Sequence, residues 1–286
     1  MNYQPLVIIG APRSGTNMLR DVLCELSGIG TWQCDEINYI WRHGNVKEDN
    51  DEFSVDLARP EVKDFIRKEF NTFAKKEKLN ILVEKTCANS LRVPFVDAVM
   101  PEAKYIFIVR DGVDSVGSAT LRWKAKLDIP YILKKVRYVP ILDLPYYASR
   151  YLFSRLYRLF SEDGRLSFWG PQFKDLDEAL KAHSLEYVCA LQWKRCVELS
   201  EAAFSKISED KVIRVSYEAF VSQPVNELTR ILRTLNVDVD EVEIEESVRN
   251  ITNRNIGKGR KALNDTQLAD IEPLLSVTLK KYSYDR

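Results

Sequence analysis

The chain has 286 residues, 45% hydrophobic and 29% charged, with Lys+Arg and Asp+Glu both at 42. That balance fits a globular protein with a sizeable core, and a formal net charge of zero gives no global footprint for nucleic acid or membrane. Five cysteines (Cys24, Cys34, Cys87, Cys189, Cys196) without paired C-x-x-C spacing, and only His43 and His183, argue against a metal site, while the helical apolar patterns around Cys24, Cys189 and Cys196 read as buried reduced thiols.

The first element is an apolar run, Leu6 to Ile9, suited to a buried parallel strand. Met18, Leu19, Val22, Leu23 and Leu26 then recur at helical spacing. The turn between them, Gly10-Ala-Pro-Arg-Ser-Gly-Thr-Asn17, therefore sits at a helix N-terminus. There the backbone N–H groups of Ser14 to Asn17 and the helix dipole favour an anion, while Gly10 and Gly15 allow close approach. The spacing nearly matches the nucleotide-triphosphate loop G-x-x-x-x-G-K-[ST], but Thr16 and Asn17 stand where lysine and a hydroxyl residue belong. Such a loop is poorly equipped for Mg²⁺-assisted phosphoryl transfer, and Arg13 supplies the cation instead.

Gly28 to Asn50 reads as a long surface loop containing His43. Val62, Phe65, Ile66, Phe70 and Phe73 mark a helix over 60–78. Ile81-Leu-Val83 is a second strand that runs into Glu84-Lys-Thr-Cys-Ala-Asn89. A third, Tyr105 to Val109, runs into Arg110, and the following helix is expected to carry Val113, Val116, Thr120 and Leu121 on one face. Arg13, Glu84, Lys85 and Arg110 thus all emerge at strand ends, the edge where open α/β sheets bind ligands.

Residues 124–183 break the alternation and read as an aromatic-rich helical insertion over the site. Across 121–160 there are nine basic residues against Asp128 and Asp143, interleaved with tyrosines, a pattern suited to a polyanionic sugar, an anionic membrane surface or simply a solvated helical lid. Ser184 caps a helix over 184–206, with His183 at its surface start; Val212 to Val215 is a fourth strand, and Ser222-Gln-Pro224 starts another helix. Arg254 to Lys261 is a glycine-loosened basic loop before a closing helix. The expected architecture is α/β: one domain spanning 1–286, a doubly wound parallel sheet with helices on both faces. No leader precedes Leu6 and no apolar run is long enough to cross a bilayer, so a cytoplasmic protein is expected, peripheral to a membrane if 121–160 touches one.

These motifs together resemble the P-loop-like sulfotransferases that use 3′-phosphoadenosine 5′-phosphosulfate. The resemblance implies that Arg13, Ser14, Gly15, Thr16 and Asn17 form the 5′-phosphosulfate loop. It makes Arg110 and Ser118 the 3′-phosphate ligands, places Tyr217 by the adenine, and closes Lys258, Gly259 and Arg260 over the 3′-phosphate. Glu84-Lys-Thr86 is similar to the carbohydrate-modifying branches, which implies Glu84 as base and Lys85 as a cation near the transferring group; the histidine base of the cytosolic branch is Cys87 here. Asn17 and Gly112 depart from the usual Thr/Ser and proline.

The implied activity is metal-independent sulfation of a carbohydrate, lipid-linked or small-molecule hydroxyl, with no nucleic-acid partner. Two other readings of the same cradle remain open. One is a P-loop kinase, weakened by the missing lysine and Mg²⁺ ligand. The other is a nucleotide-binding module without turnover, against which the intact Arg13, Glu84, Lys85, Arg110 and Ser118 argue.

Overall fold

The computed structural model describes residues 3–124, 137–149 and 169–284. In chain order the first elements are β1 (Gln4–Ile9), α1 (Thr16–Cys24), β2 (Ile29–Gly30), α2 (Asn38–Trp41), α3 (Pro60–Glu77), β3 (Ile81–Lys85), α4 (Val93–Val99), β4 (Lys104–Val109) and α5 (Gly112–Trp123). Helices Leu176–Ala182 and Leu185–Phe204, strand β5 (Val212–Ser216) and helices Tyr217–Ser222, Pro224–Leu235, Glu241–Val248 and Asp265–Lys281 follow. Much of the insertion expected at 124–183, and most of the basic stretch within 121–160, lies outside the described residues.

All five strands are parallel, in the order β2-β3-β1-β4-β5. β1 is central, in register from Gln4 with Ile81 to Ile8 with Lys85 on one side and from Leu6 with Lys104 to Ile9 with Phe107 on the other. Strand alternation sorts the buried side chains between two cores. Val7, Ile9, Leu82, Tyr105 and Phe107 face α3, α4, α5 and the helices 185–204 and 265–281. Leu6, Ile8, Val83, Ile106 and Ile108 face α1 and the helices 217–222, 224–235 and 241–248. The helix after β1 and the helix after β4 therefore cover opposite faces, which opens a crevice at the carboxyl ends of these two neighbouring strands.

Several local expectations hold for identifiable reasons. Ser184 Oγ caps its helix by accepting the Tyr187 N–H at 3.2 Å, and Pro224 begins its helix at a position where no N–H is needed. All five cysteines are free thiols, four of them buried. Among the described residues no helix is long and apolar enough to cross a membrane.

Three expectations are corrected. Leu121 is 63% exposed and Trp123 takes the buried place at the end of α5. Residues 28–50 are not a surface loop: Ile29–Gly30 add an edge strand too short to show a period, and Trp32, Ile37, Ile40 and Trp41 are buried. His43 is tucked in as well, its ring 3.7 Å from that of Phe65 and its Nδ1 2.8 Å from Asp143 Oδ2.

The segment is anchored from below by buried polar groups. Arg42 pairs with Asp51 at 2.8 Å, Arg92 reaches Asp51 and Asn38, and Asp51 exchanges hydrogen bonds with the backbone of Gln172. Trp41, fully buried edge-on to Phe70 and Phe95, fastens the same segment to the core. Truncating a buried aromatic costs about 3–5 kcal/mol. Trp41→Ala is therefore expected to lower the urea-unfolding free energy by roughly that amount; a loss below about 1 kcal/mol would show that the segment is not part of the core.

Candidate active site

The crevice between β1 and β4 holds a cleft of about 500 Å³. Its floor is the turn from β1 into α1. Gly15 at φ 87° caps α1 with no side-chain hydrogen bond, and Arg13 also adopts a positive φ of 70°. Ser14 N–H is satisfied by Ala11 O at 3.2 Å, so the donors available to a ligand are fewer than the four expected. Among the described residues no backbone acceptor is found for Gly15, Thr16 or Asn17 N–H, and Ser14 Oγ is buried without a partner. Asn17 Oδ1 is also buried and unpaired.

Glycine at position 15 is required twice over. Its φ favours glycine, and a Cβ there would lie 2.5 Å from the Tyr217 ring. That ring in turn stacks under the Arg110 guanidinium, whose carbon lies 4.4 Å from its centroid. Arg110 NH1 donates to Arg13 O at 3.0 Å and NH2 to Asn255 O at 2.8 Å and to Asp114, while Nε, in a residue only 6% exposed, has no partner among the described residues. Arg13 Nε donates to the Ser118 hydroxyl at 3.0 Å. Burial first, then the charges of Arg122 and Arg110, lower the Arg13 pKa from its ordinary value. Arg13, Arg110 and Arg122 thus gather positive charge here, with Arg110 paired to Asp114, the electrostatics of an anion site.

The far wall comes from β3 and from residues 35–37. Lys85, its side chain 2% exposed, donates to Glu36 Oε1 at 2.9 Å, and Cys87 N–H reaches the same oxygen at 3.2 Å. Burial is the strongest single influence on Lys85 and lowers it, but Glu36 and Cys87 together outweigh it and the pKa is raised. The bend carrying Glu36 is held from two sides: Arg20 of α1 donates to Asp35 O at 3.2 Å, and Thr86 Oγ1 accepts Ile37 N–H at 3.2 Å. Burial pushes the Cys87 thiol up to about 12, so at neutral pH it is no base.

Glu84 does not reach this cleft. Successive strand residues point to opposite faces, so Lys85 toward the cleft places Glu84 on the other side. There it is 0% exposed, accepting from Thr86 Oγ1 and from Asn89 Nδ2 at 2.9 Å. Lys258, Gly259 and Arg260 also fail to line the cleft. Lys258 Nζ bonds Asn255 at 3.1 Å, Arg260 pairs with Glu272, and the Gly259 and Arg260 amides are held by Asp114; Arg254 and Asn255 line the cleft instead. Glu36 is the carboxylate the motif reading missed. No local motif marked it: it lies beyond the first helix, in a stretch read as loop.

A family model described as the sulfotransferase family matches residues 5–160 and 150–241. The chain belongs to the sulfotransferase family. Solved sulfotransferases share its fold at low identity. The sulfotransferase domain from the curacin biosynthetic pathway is 14% identical, with TM-score 0.56 over 96% of this chain and 98% of that one. A sulfotransferase from Mycobacterium avium is 14% identical, with TM-score 0.57 over 100% and 78%. A mouse sulfotransferase complexed with PAP is 13% identical, with TM-score 0.51 over 97% and 85%. No curated protein matches the sequence.

Burial raises the Glu84 carboxyl from 4.5 to about 7, more than its hydrogen bond from Thr86 lowers it. The folded sulfotransferase then holds a proton that the unfolded chain releases above pH 4.5, so stability from this group is present below that pH and lost as pH rises through about 7. Relative to Glu84→Gln, the wild type is expected to lose on the order of 1–3 kcal/mol of unfolding free energy between pH 5 and pH 8. A pH-independent difference would contradict a protonated, buried Glu84.

Proposed function

We propose that the protein transfers a sulfuryl group from 3′-phosphoadenosine 5′-phosphosulfate to an acceptor hydroxyl. One observation carries the reading: a single cleft joins an anion cradle of Arg13, Gly15, Thr16, Asn17 and Arg110, with Arg110 Nε unspent among the described residues, to a Lys85–Glu36 pair on the opposite wall. The uncapped α1 N-terminus and Arg13 suit the phosphosulfate, and Arg110 against Tyr217 suits the 3′-phosphoadenosine end. These residues fit the donor as a substrate, and the donor supplies the activated sulfuryl group.

In this reading Glu36, rather than Glu84, takes the proton from the acceptor hydroxyl as its oxygen bonds to sulfur. The sulfur–oxygen bond to the phosphate breaks, and Arg13, Lys85 and the α1 amides meet the charge that develops on the leaving oxygen. Glu84 serves instead to hold Thr86, which fixes Ile37 next to Glu36. Trp169 and Arg122, which line the cleft, fit an acceptor with a saccharide or lipid-linked anionic character.

Two measurements test this. Adenosine 3′,5′-bisphosphate at about 100 times its dissociation constant is expected to stabilise the fold by ~2.7 kcal/mol, an effect lost in Arg110→Ala, whereas stabilisation by Mg·ATP alone would favour phosphoryl transfer. Glu36→Gln is expected to lower sulfuryl-transfer kcat by ~10²–10⁴ while leaving bisphosphate binding intact. Full turnover in that variant would remove Glu36 as the base.

A further inference from the structure

Asp114 gathers more donors than a helix residue ordinarily meets. It lies in the first turn of α5, 2% exposed, with its own N–H taken by Asp111 Oδ1 at 3.1 Å. Its Oδ2 accepts from Arg110 NH2, one helical turn earlier, and from Gly257 N–H at 3.1 Å. Its Oδ1 accepts from Gly259 N–H at 2.5 Å and Arg260 N–H at 3.2 Å. One carboxylate thus binds the Arg110 guanidinium and three backbone donors of a loop some 145 residues away in sequence.

The backbones close around it. A Cβ at Gly117 would lie 1.9 Å from Gly259 O, and one at Gly259 would lie 1.8 Å from Asp114 O, so only glycine at both places permits the approach. Arg110 NH2 also reaches Asn255 O at 2.8 Å, so loop and guanidinium share a second tie. Arg254 and Asn255 stand at the cleft as a result. The three amides converge on one negative charge, and that charge is the protein's own carboxylate.

We propose that Asp114 is a positioning residue for the nucleotide's 3′-phosphate: it locks Arg110 and the 255–260 loop into one unit before ligand arrives. The proposal rests on the donor reading above. Arg110 is already stacked on Tyr217 and bonded at both terminal nitrogens, so it meets a phosphate without reordering a long side chain, and the cost of that ordering is removed from binding. The amides of Gly259 and Arg260, which motif resemblance would give to the ligand, act at one remove.

The test compares wild type with Asp114→Asn and Gly259→Ala, titrating adenosine 3′,5′-bisphosphate and adenosine 5′-monophosphate by calorimetry and following amide exchange over residues 254–263. Asn at 114 turns an amide donor toward the guanidinium and loop donors; Ala at 259 forces the loop away with Asp114 and Arg110 intact. Each variant is expected to lose on the order of tenfold in bisphosphate affinity with monophosphate affinity within about twofold, and to exchange the Gly257, Gly259 and Arg260 amides faster. Equal loss for both nucleotides, which a purely structural role predicts, or an unchanged preference would overturn the proposal. If Asp114→Asn does not fold, Gly259→Ala carries the same comparison. If the wild type binds neither nucleotide, the donor reading fails and the exchange data decide: protection lost in the variants keeps Asp114 as the anchor of the loop, and unchanged exchange removes it.

Discussion

The site depends on how β1 hands the chain to α1. Two left-handed residues, Arg13 and Gly15, turn the backbone so sharply that the helix begins with no side-chain cap. A non-glycine residue in that conformation costs about 1–2 kcal/mol, and uncapped amides cost more unless something satisfies them. The protein keeps the strain because its neighbours over-determine it. Arg110 grips Arg13 O, Ser118 grips Arg13 Nε, and Tyr217 occupies the space where a Cβ on Gly15 would lie. Strands β1 and β4 and the start of the helix after β5 therefore meet at one turn. What remains unsatisfied there is a demand for a ligand with negative charge.

A second constraint governs the opposite wall. Bringing Glu36 against Lys85 requires residues 28–53 to fold back onto the sheet, which buries Arg42, Asp51 and Arg92 with them. Isolated buried charges are prohibitive, so they are paired into one network, and burial still lowers Arg92 to about 10. Glu84 belongs to this scaffold: through Thr86 it meets the backbone of the bend that holds Glu36. The carboxylate within the strongest motif is thus buried in the scaffold, and Glu36 is the one that lines the cleft.

The parts legible in the sequence are those with local causes. The apolar run into a glycine turn and an amphipathic helix announces β1 and α1, and the strand ends at Lys85 and Arg110 follow from short hydrophobic runs bounded by charge. Tyr217 was assigned to the adenine by resemblance alone, and nothing local ties position 217 to position 15, against which its ring packs. The errors also have local causes. Giving Glu84 as base and Lys85 as cation to one site ignored the two-residue period of a strand, which sends neighbours to opposite faces. Residues 28–50 read as exposed because burial there rests on polar contacts distant in sequence, such as His43 with Asp143 and Asp51 with the backbone of Gln172. Lys258 and Arg260 were assigned by motif, but Asp114, an unremarked helix residue, claims that loop's amides.

The central claim is that the cleft between β1 and β4 is a donor site facing the Lys85–Glu36 pair. A crystal structure of the protein with adenosine 3′,5′-bisphosphate tests it most directly. The account predicts the 5′-phosphate on the amides of Gly15 to Asn17, the 3′-phosphate against Arg110, and the adenine near Tyr217, with Glu36 facing the remaining space. A nucleotide bound elsewhere, or seated with its 3′-phosphate away from Arg110, would contradict it.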